Sequence, residues 1–253
     1  MRISIVTVTY NAGAHIERTI ASVEAQAYAD VEHLIVDGGS KDNTVDVARS
    51  HGYLPVGENV GGGKLYLSER DNGLYDAMNK GLALTTGQYV CFLNAGDTLH
   101  DASTLQRIAM ASEGGKAGVV YGDTDIVDEQ GHFLRHRRLT PPSSLTWHSF
   151  LWGMLVCHQA FYVNRRIAQT YDLSYRFSAD FDWCIRCMKE CEKLGMVNIY
   201  VRQPVADYLS EGMTTANHKA SLHERYGIMC KHYGMVRTML VHAWFVFRSV
   251  LKK

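Results

Sequence analysis

Short β-branched runs and helix-period segments alternate through residues 3–93, and this rhythm constrains the fold more than anything else in the chain. Strand-type runs fall at 3–9, 31–36, 64–68 and 89–93, with helix-period segments at 14–26, 44–51 and 74–84 between them. A strand that returns after each helix predicts a mostly parallel central sheet flanked by helices, an α/β architecture. Ligands of such sheets sit beyond the carboxyl ends of the strands. Those ends read Thr9-Tyr10-Asn11, Asp37-Gly38-Gly39-Ser40, Glu69-Arg70-Asp71 and Asn94-Ala95-Gly96-Asp97, all polar.

Beyond about residue 101 the rhythm breaks. Residues 119–121, 124–127 and 132–137 read as short strands with a turn at Glu129-Gln130-Gly131, and 155–163 and 197–201 as two more. Pro141-Pro142 excludes continuous helix from 140–152, whereas 180–194 has helical period. This half reads as a smaller antiparallel elaboration of the same sheet, with a boundary near residue 100 as the alternative.

With 253 residues, 46% of them hydrophobic, and four prolines, the chain can bury one sizeable core. Its formal net charge is zero, so no basic field attracts nucleic acid and none is expected as a partner. The apolar run at the amino terminus is too short for a signal peptide, which predicts a cytoplasmic chain with reduced cysteines. Cys184, Cys187 and Cys191 share one face of a helix and read as core rather than as a metal cluster.

Asp97 ends an apolar strand in a short loop with Gly96, a setting that suits a hard cation shared with diphosphate oxygens. Alone, an Asp after a strand is more often a turn or helix cap. Two other nucleotide signatures fail. No G-x-G-x-x-G follows the first strand, and Gly61-Gly62-Gly63-Lys64 is followed by Leu65 and a strand, so it reads as a surface loop.

Four blocks in order carry a family resemblance: Thr7-Val8-Thr9-Tyr10-Asn11, Val36-Asp37-Gly38-Gly39-Ser40, Asp71-Asn72-Gly73-Leu74-Tyr75-Asp76-Ala77-Met78-Asn79-Lys80-Gly81 and Leu93-Asn94-Ala95-Gly96-Asp97. Together they resemble the family 2 glycosyltransferases of GT-A, Rossmann-like fold, most closely the colanic-acid type of exopolysaccharide enzyme. Later blocks at Cys157-His158-Gln159, Ser178-Ala179-Asp180 and Glu211-Gly212-Met213-Thr214-Thr215 extend the likeness to about residue 215.

The resemblance implies an inverting transfer of a sugar from a nucleoside-diphosphate donor to an oligosaccharide, expected on a polyprenyl-type lipid. It implies a GT-A catalytic domain over 1–215, with a donor half (1–100) and an acceptor-side half (101–215), followed by a helical extension over 216–253. Asp97 becomes the metal carboxylate for Mn²⁺ or Mg²⁺, although Asn94 stands where the family has an earlier acid. Thr9, Asn11, Asp37, Arg70, Asp71, Asn79 and Asn94 join it in the donor site. Asp180 becomes the catalytic base, with Ala179 replacing the usual preceding Glu. His158, Asp182 and Thr214 are candidates for contact with acceptor or diphosphate. Gly38 removes an acceptor that a pyrimidine would use, so both a GDP-sugar and a UDP-sugar stay open. A catalytically silent sugar-nucleotide or carbohydrate-binding module, and a sugar nucleotidyltransferase, are the alternatives.

Residues 236–253 form one amphipathic helix, with Met239, Leu240, Ala243, Trp244, Val246, Phe247, Val250 and Leu251 on one broad face and Arg237, Arg248 and Lys252 opposite. Two readings stay open: docking on its own domain or a partner subunit, and peripheral contact with the inner face of the cytoplasmic membrane.

Overall fold

Parallel strands with helical crossovers build the first half. They run β1 (Ile3–Thr9), α1 (Ile16–Glu24), β2 (Val31–Asp37), α2 (Thr44–Ser50), β3 (Leu54–Pro55), β4 (Lys64–Ser68), α3 (Leu74–Leu84) and β5 (Tyr89–Phe92). The computed structural model describes residues 1–58, 63–210 and 218–251. Then come β6 (Thr98–Leu99), α4 (Thr104–Ala111), β7 (Val119–Val127), β8 (Phe133–His136), β9 (Phe161–Asn164), α5 (Ala179–Lys193), β10 (Asn198–Leu209), α6 (His218–Tyr233) and α7 (Met235–Leu251). Among the described residues one mixed sheet holds every strand, in the order β3-β4-β2-β1-β5-β9-β7-β10-β6, with β8 paired to β7. Pairing is parallel from β3 to β5 and antiparallel where β9 joins β5 and β7, as the sequence rhythm predicts.

Apolar residues alternate across this sheet and cover both faces. Ile35 and Tyr66 pack with Ile16 and Ile20 of α1 and Ala48 of α2 on one side, while α3 lies on the other. There Gly81 lets the α3 backbone approach: a Cβ at that position would stand 2.4 Å from Val6 Cγ1. Cys184, Cys187 and Cys191 are free thiols buried along α5, which agrees with the core reading.

Three of the departures from the sequence reading have an identifiable physical reason. Residues 119–127 are one strand, because Gly122 marks a close approach by Val205, whose methyls would stand 2.6 and 2.7 Å from a Cβ there. β10 continues past 201 through Pro204, carried by register shifts and by Arg202 at φ 59°. The expected strand over 155–163 is reduced to β9, preceded by a 3-10 turn, His158–Ala160. Gly61 and Gly62 of the glycine loop lie outside the described residues.

A polar pair is built into β1 and β2. Buried His33 faces Thr7 Oγ1 at 2.9 Å through Nε2 and the Tyr53 hydroxyl through Nδ1. Burial pushes the Tyr53 phenol up, so its hydroxyl stays neutral beside the ring. Burial also pushes the His33 imidazole down to about 3, against an ordinary value of 6.5. The unfolded chain therefore binds the proton that the folded one refuses, and stability falls as pH drops from 6.5 toward 3. Between pH 7 and pH 5 we expect His33 to remove roughly 2 kcal/mol from the unfolding free energy. Urea unfolding of wild type and His33→Gln at both pH values tests this; an equally steep pH dependence in the variant contradicts it.

Candidate active site at the strand ends

Loop geometry at the ends of β1 and β2 comes from Asn11 and Asp37. Asn11 adopts φ 49°, gives its N–H to Ser40 Oγ at 2.7 Å and accepts the Lys41 N–H at 2.9 Å. Buried Asp37 Oδ2 accepts Gly39 N–H (3.2 Å), Ser40 N–H (3.0 Å) and Ser68 Oγ (2.6 Å), and its Oδ1 accepts the Ser40 hydroxyl. These contacts commit both side chains to shaping the loop. Thr9, just before it, buries Oγ1 without a hydrogen-bond partner.

The β4 end supplies Arg70 and Asp71. Arg70 is exposed, and its carbonyl accepts a hydrogen bond from Lys80 Nζ at 3.0 Å. Asp71 accepts Gly73 N–H on Oδ1 at 2.9 Å, and its Oδ2 would stand 2.4 Å from a Cβ on Gly38. The Asp71 carboxylate thus fills the space beside Gly38. Asn79 takes a different part: its amide donates to Tyr171 O (3.0 Å) and accepts Tyr171 N–H (2.6 Å), binding α3 to the segment before α5. Those two hydrogen bonds give the Asn79 amide a positioning duty between α3 and Tyr171.

At the β5 end, Asp97 is 4% exposed. Its Oδ1 accepts the Leu209 N–H from the end of β10 (3.0 Å) and its Oδ2 accepts the Gln159 amide (2.7 Å). Thr19 Oγ1 donates to its carbonyl at 2.7 Å and accepts the Gly96 N–H at 2.9 Å. Burial pushes the Asp97 carboxyl up to about 6, opposed by the hydrogen bonds from Leu209 and Gln159 and by the charges of His158 and Arg18.

The same 3-10 turn that presents Gln159 also presents His158, which the sequence placed inside a strand. His158 Nε2 faces Asn94 Nδ2 at 3.3 Å, and its Nδ1 faces Asp180 Oδ2 at 3.3 Å in the first turn of α5. Tyr75 Oη donates to Asp180 Oδ1 at 3.2 Å. Burial opposes ionisation of Asp180, yet the His158 hydrogen bond and charge, with Arg225 behind them, hold its carboxyl below the ordinary value. The other end of the Asn94 amide, Oδ1, is buried with no partner.

Asp182 is absent from this group. Two residues along α5 it points the other way, fully buried, with Arg186 Nε at 2.5 Å, His232 Nε2 at 2.8 Å and Lys231 Nζ at 3.4 Å. Burial raises its pKa, and those partners bring it down to about 2. The structure thus corrects the expectation that Asp182 could meet acceptor or diphosphate: it joins α5 to α6. Thr214 lies outside the described residues. Sequence reasoning missed Gln159, Tyr75 and Thr19 as site residues. Gln159 and Tyr75 stand inside motif blocks and carry polar groups, whereas nothing in the sequence marks Thr19. A cleft of about 290 Å³ on the β7 side, bordered by Asp123, Arg137 and Pro204, contains none of the strand-end residues.

The sequence pattern of glycosyl transferase family 2 matches residues 4–170, the segment that holds the four strand-end blocks and the His158-Gln159 turn. The chain belongs to this family. Among its relatives, a PGL/p-HBAD biosynthesis glycosyltransferase of Mycobacterium bovis is 34% identical over 209 residues, covering 81% of this chain and 75% of the relative. The amylovoran biosynthesis glycosyltransferase AmsB of Erwinia amylovora is 29% identical over 216 residues, covering 81% and 68%. In fold, the chain is similar to S. aureus TarS residues 1–349 in complex with UDP-GlcNAc, with a TM-score of 0.68 at 14% identity over 97% of this chain and 72% of that one. It is also similar to the mannosyltransferase PcManGT of Pyrobaculum calidifontis in complex with GDP-Man and Mn²⁺, at a TM-score of 0.61 and 14% identity over 95% and 74%. The protein is therefore a family 2 glycosyltransferase with the GT-A fold, as its motif blocks imply.

The two acids of α5 separate by experiment. Asp182→Ala strands Arg186 and His232, and we expect it to lower the unfolding free energy by on the order of 2 to 3 kcal/mol without changing affinity for a nucleotide-sugar. Urea unfolding beside donor titration reads both quantities; lost donor affinity in a folded Asp182→Ala protein contradicts the assignment.

Proposed function

We propose that this glycosyltransferase moves one sugar, with inversion, from a UDP- or GDP-sugar to a hydroxyl of a lipid-linked oligosaccharide. The observation that carries the proposal is a pair of buried, unpartnered polar atoms, Thr9 Oγ1 and Asn94 Oδ1, at the ends of adjacent strands, with the Asn94 amide also reaching Asp180 through His158. Unpaired buried oxygens are costly, so such atoms in a crevice beyond a sheet mark where a ligand supplies their partners. Thr9, Asp71 and the loop shaped by Asn11 and Asp37 border the nucleoside side, and Asp71 offers the carboxylate oxygen that Gly38 lacks.

Asp180 is the proposed base. Tyr75 and His158 hold its two oxygens, so the carboxylate is pre-aimed and remains ionised. It accepts the proton of the acceptor hydroxyl as that oxygen attacks the anomeric carbon from the face opposite the diphosphate, which inverts the centre in one displacement. Asn94 and Asp97 fit a divalent cation of the Mn²⁺ or Mg²⁺ kind. Asn94 Oδ1 is free to coordinate, and each Asp97 oxygen keeps a second lone pair beyond its hydrogen bond. When bound, such an ion neutralises charge on the departing diphosphate. Residues 1–215 are the proposed catalytic unit.

The C-terminal helix supports a membrane-surface acceptor. α7 docks on the domain through Thr238, Val241 and the half-buried Phe245, while its more apolar face looks outward. Val236 is 72% exposed and Leu240 67%, with Met239, Trp244, Val246 and Phe247 also open, and exposed Arg237 and Arg248 on the same helix. This combination matches a helix lying in a bilayer surface. Among the described residues no helix is long and apolar enough to cross a membrane.

Two measurements check these readings. With a donor sugar and acceptor, Asp180→Asn and Asp97→Ala are each expected to lower nucleoside-diphosphate release at least 100-fold, Asp180→Asn acting on kcat with donor affinity kept. Undiminished release from Asp180→Asn contradicts the base assignment, and binding without turnover in wild type contradicts transfer itself. For the helix, wild type is expected to float with anionic phospholipid vesicles and a Leu240→Glu, Phe247→Glu variant to stay behind. Equal behaviour of the two contradicts the membrane contact.

A further inference from the structure

We propose that His100, Asp125 and Asp207 form a second divalent-metal site, of the zinc type, separate from the strand-end crevice. One potential ligand atom from each lies within 4.8 Å of the others. The register of the sheet explains how they meet. Asp125 on β7 stands directly opposite Asp207 on its parallel neighbour β10, Asp207 stands opposite Thr98 on β6, and His100 follows Thr98 by two residues, on the same side of the chain. On the outer flank His136 of β8 is the register partner of Asp125. A transverse row thus reads Asp207, Asp125, His136 across β10, β7 and β8, and His100 reaches Asp207 from just past the end of β6.

Two carboxylates directly opposite on adjacent strands repel each other, and Asp125 is only 5% exposed. Each carboxylate has an imidazole beside it: His100 Nδ1 lies 2.7 Å from Asp207 Oδ1, and His136 Nδ1 lies 2.7 Å from Asp125 Oδ1. A dication held by His100, Asp125 and Asp207 would balance both carboxylates at once. Mixed imidazole and carboxylate donors select Zn²⁺ and its neighbours over Mg²⁺ or Ca²⁺, which take oxygen almost exclusively. Three protein ligands and a water complete a tetrahedral shell, and His136 then orients Asp125 from outside it.

The place of this row in the fold gives the site a purpose. Asp207 is two residues before Leu209, whose N–H holds Asp97. A metal clamping β6, β7 and β10 fixes the strand end that supports the crevice. It shares no residue with the proposed Asn94–Asp97 cation site, so the two can be told apart.

Metal-stripped full-length protein titrated calorimetrically with ZnCl₂ alone, without nucleotide, tests the proposal. One stoichiometric Zn²⁺ is expected in wild type and in Asp97→Asn. His100→Ala and Asp125→Asn are expected to lose it, and His136→Ala to bind 10- to 100-fold more weakly, on the order found when an outer-shell partner of a metal ligand is removed. Circular dichroism reports whether each variant folds. If Asp125→Asn does not, His100→Ala decides, because that side chain is 33% exposed and its loss opens no core cavity. Absence of stoichiometric Zn²⁺ in wild type, its retention in folded His100→Ala, or its loss from Asp97→Asn instead overturns the site and leaves two His–Asp ion pairs.

Discussion

The buried carboxylate of Asp97 is the joint on which the site depends. It accepts one hydrogen bond from the backbone of β10 at Leu209 and one from Gln159, while Thr19 of α1 grips its own backbone. Sequence distances of 112, 62 and 78 residues close at this one residue. Isolating a carboxylate from water costs several kcal/mol unless donors replace the lost hydration. Here two donors do so in part, and its pKa of about 6 records what they leave uncompensated. Such an ion tolerates burial because the ends of β5 and β10 and the turn before β9 converge on it, and the same convergence is what a ligand-binding crevice requires.

From that joint the geometry propagates outward in short steps. Gln159 is aimed by Cys157, whose thiol donates to its Oε1, so the amide presents its N–H to Asp97. The adjacent His158 must then point toward Asn94 on one side and Asp180 on the other. Asp180 in turn meets Tyr75 from α3, and α3 is tied to the chain before α5 by the paired hydrogen bonds of Asn79 with Tyr171. Residues from the first hundred positions and from well beyond them are therefore held in one hydrogen-bonded line. The line needs the close seat of α3 on the sheet that Gly81 permits.

Much of this was legible beforehand because period and strand-end polarity are local properties. β1, β4 and α3 have the bounds that residue patterning predicts, and Asp97 and Asp180 lie at a strand end and a helix start where their blocks placed them. What escaped was set by non-local contact. Continuity of β7 past Gly122 depends on Val205 arriving from a distant strand, and the shortening of the strand before β9 depends on a turn that serves Asp97 and Asp180. Asp182 and Asp180 differ by two positions and look alike in sequence; α5 turns them to opposite sides, and only the arrival of His232 from α6 shows that one is structural. The outward face of α7 belongs to the same class, since amphipathicity alone does not say which face the domain takes.

The central claim is that the unpartnered oxygens at the ends of β1 and β5 await a nucleotide-sugar, and Thr9→Val tests it most directly. Removing a buried hydroxyl that lacks a partner and keeping its shape is expected to leave the ligand-free protein as stable as wild type or more so, by up to about 1 kcal/mol, or roughly 2–4 °C in Tm. Thermal shifts with UDP- and GDP-sugars should then be clear in wild type and strongly reduced in the variant. A variant that is less stable without ligand, yet shifts as far as wild type with the donor, would show that Thr9 already has its partner within the fold and that the donor binds elsewhere.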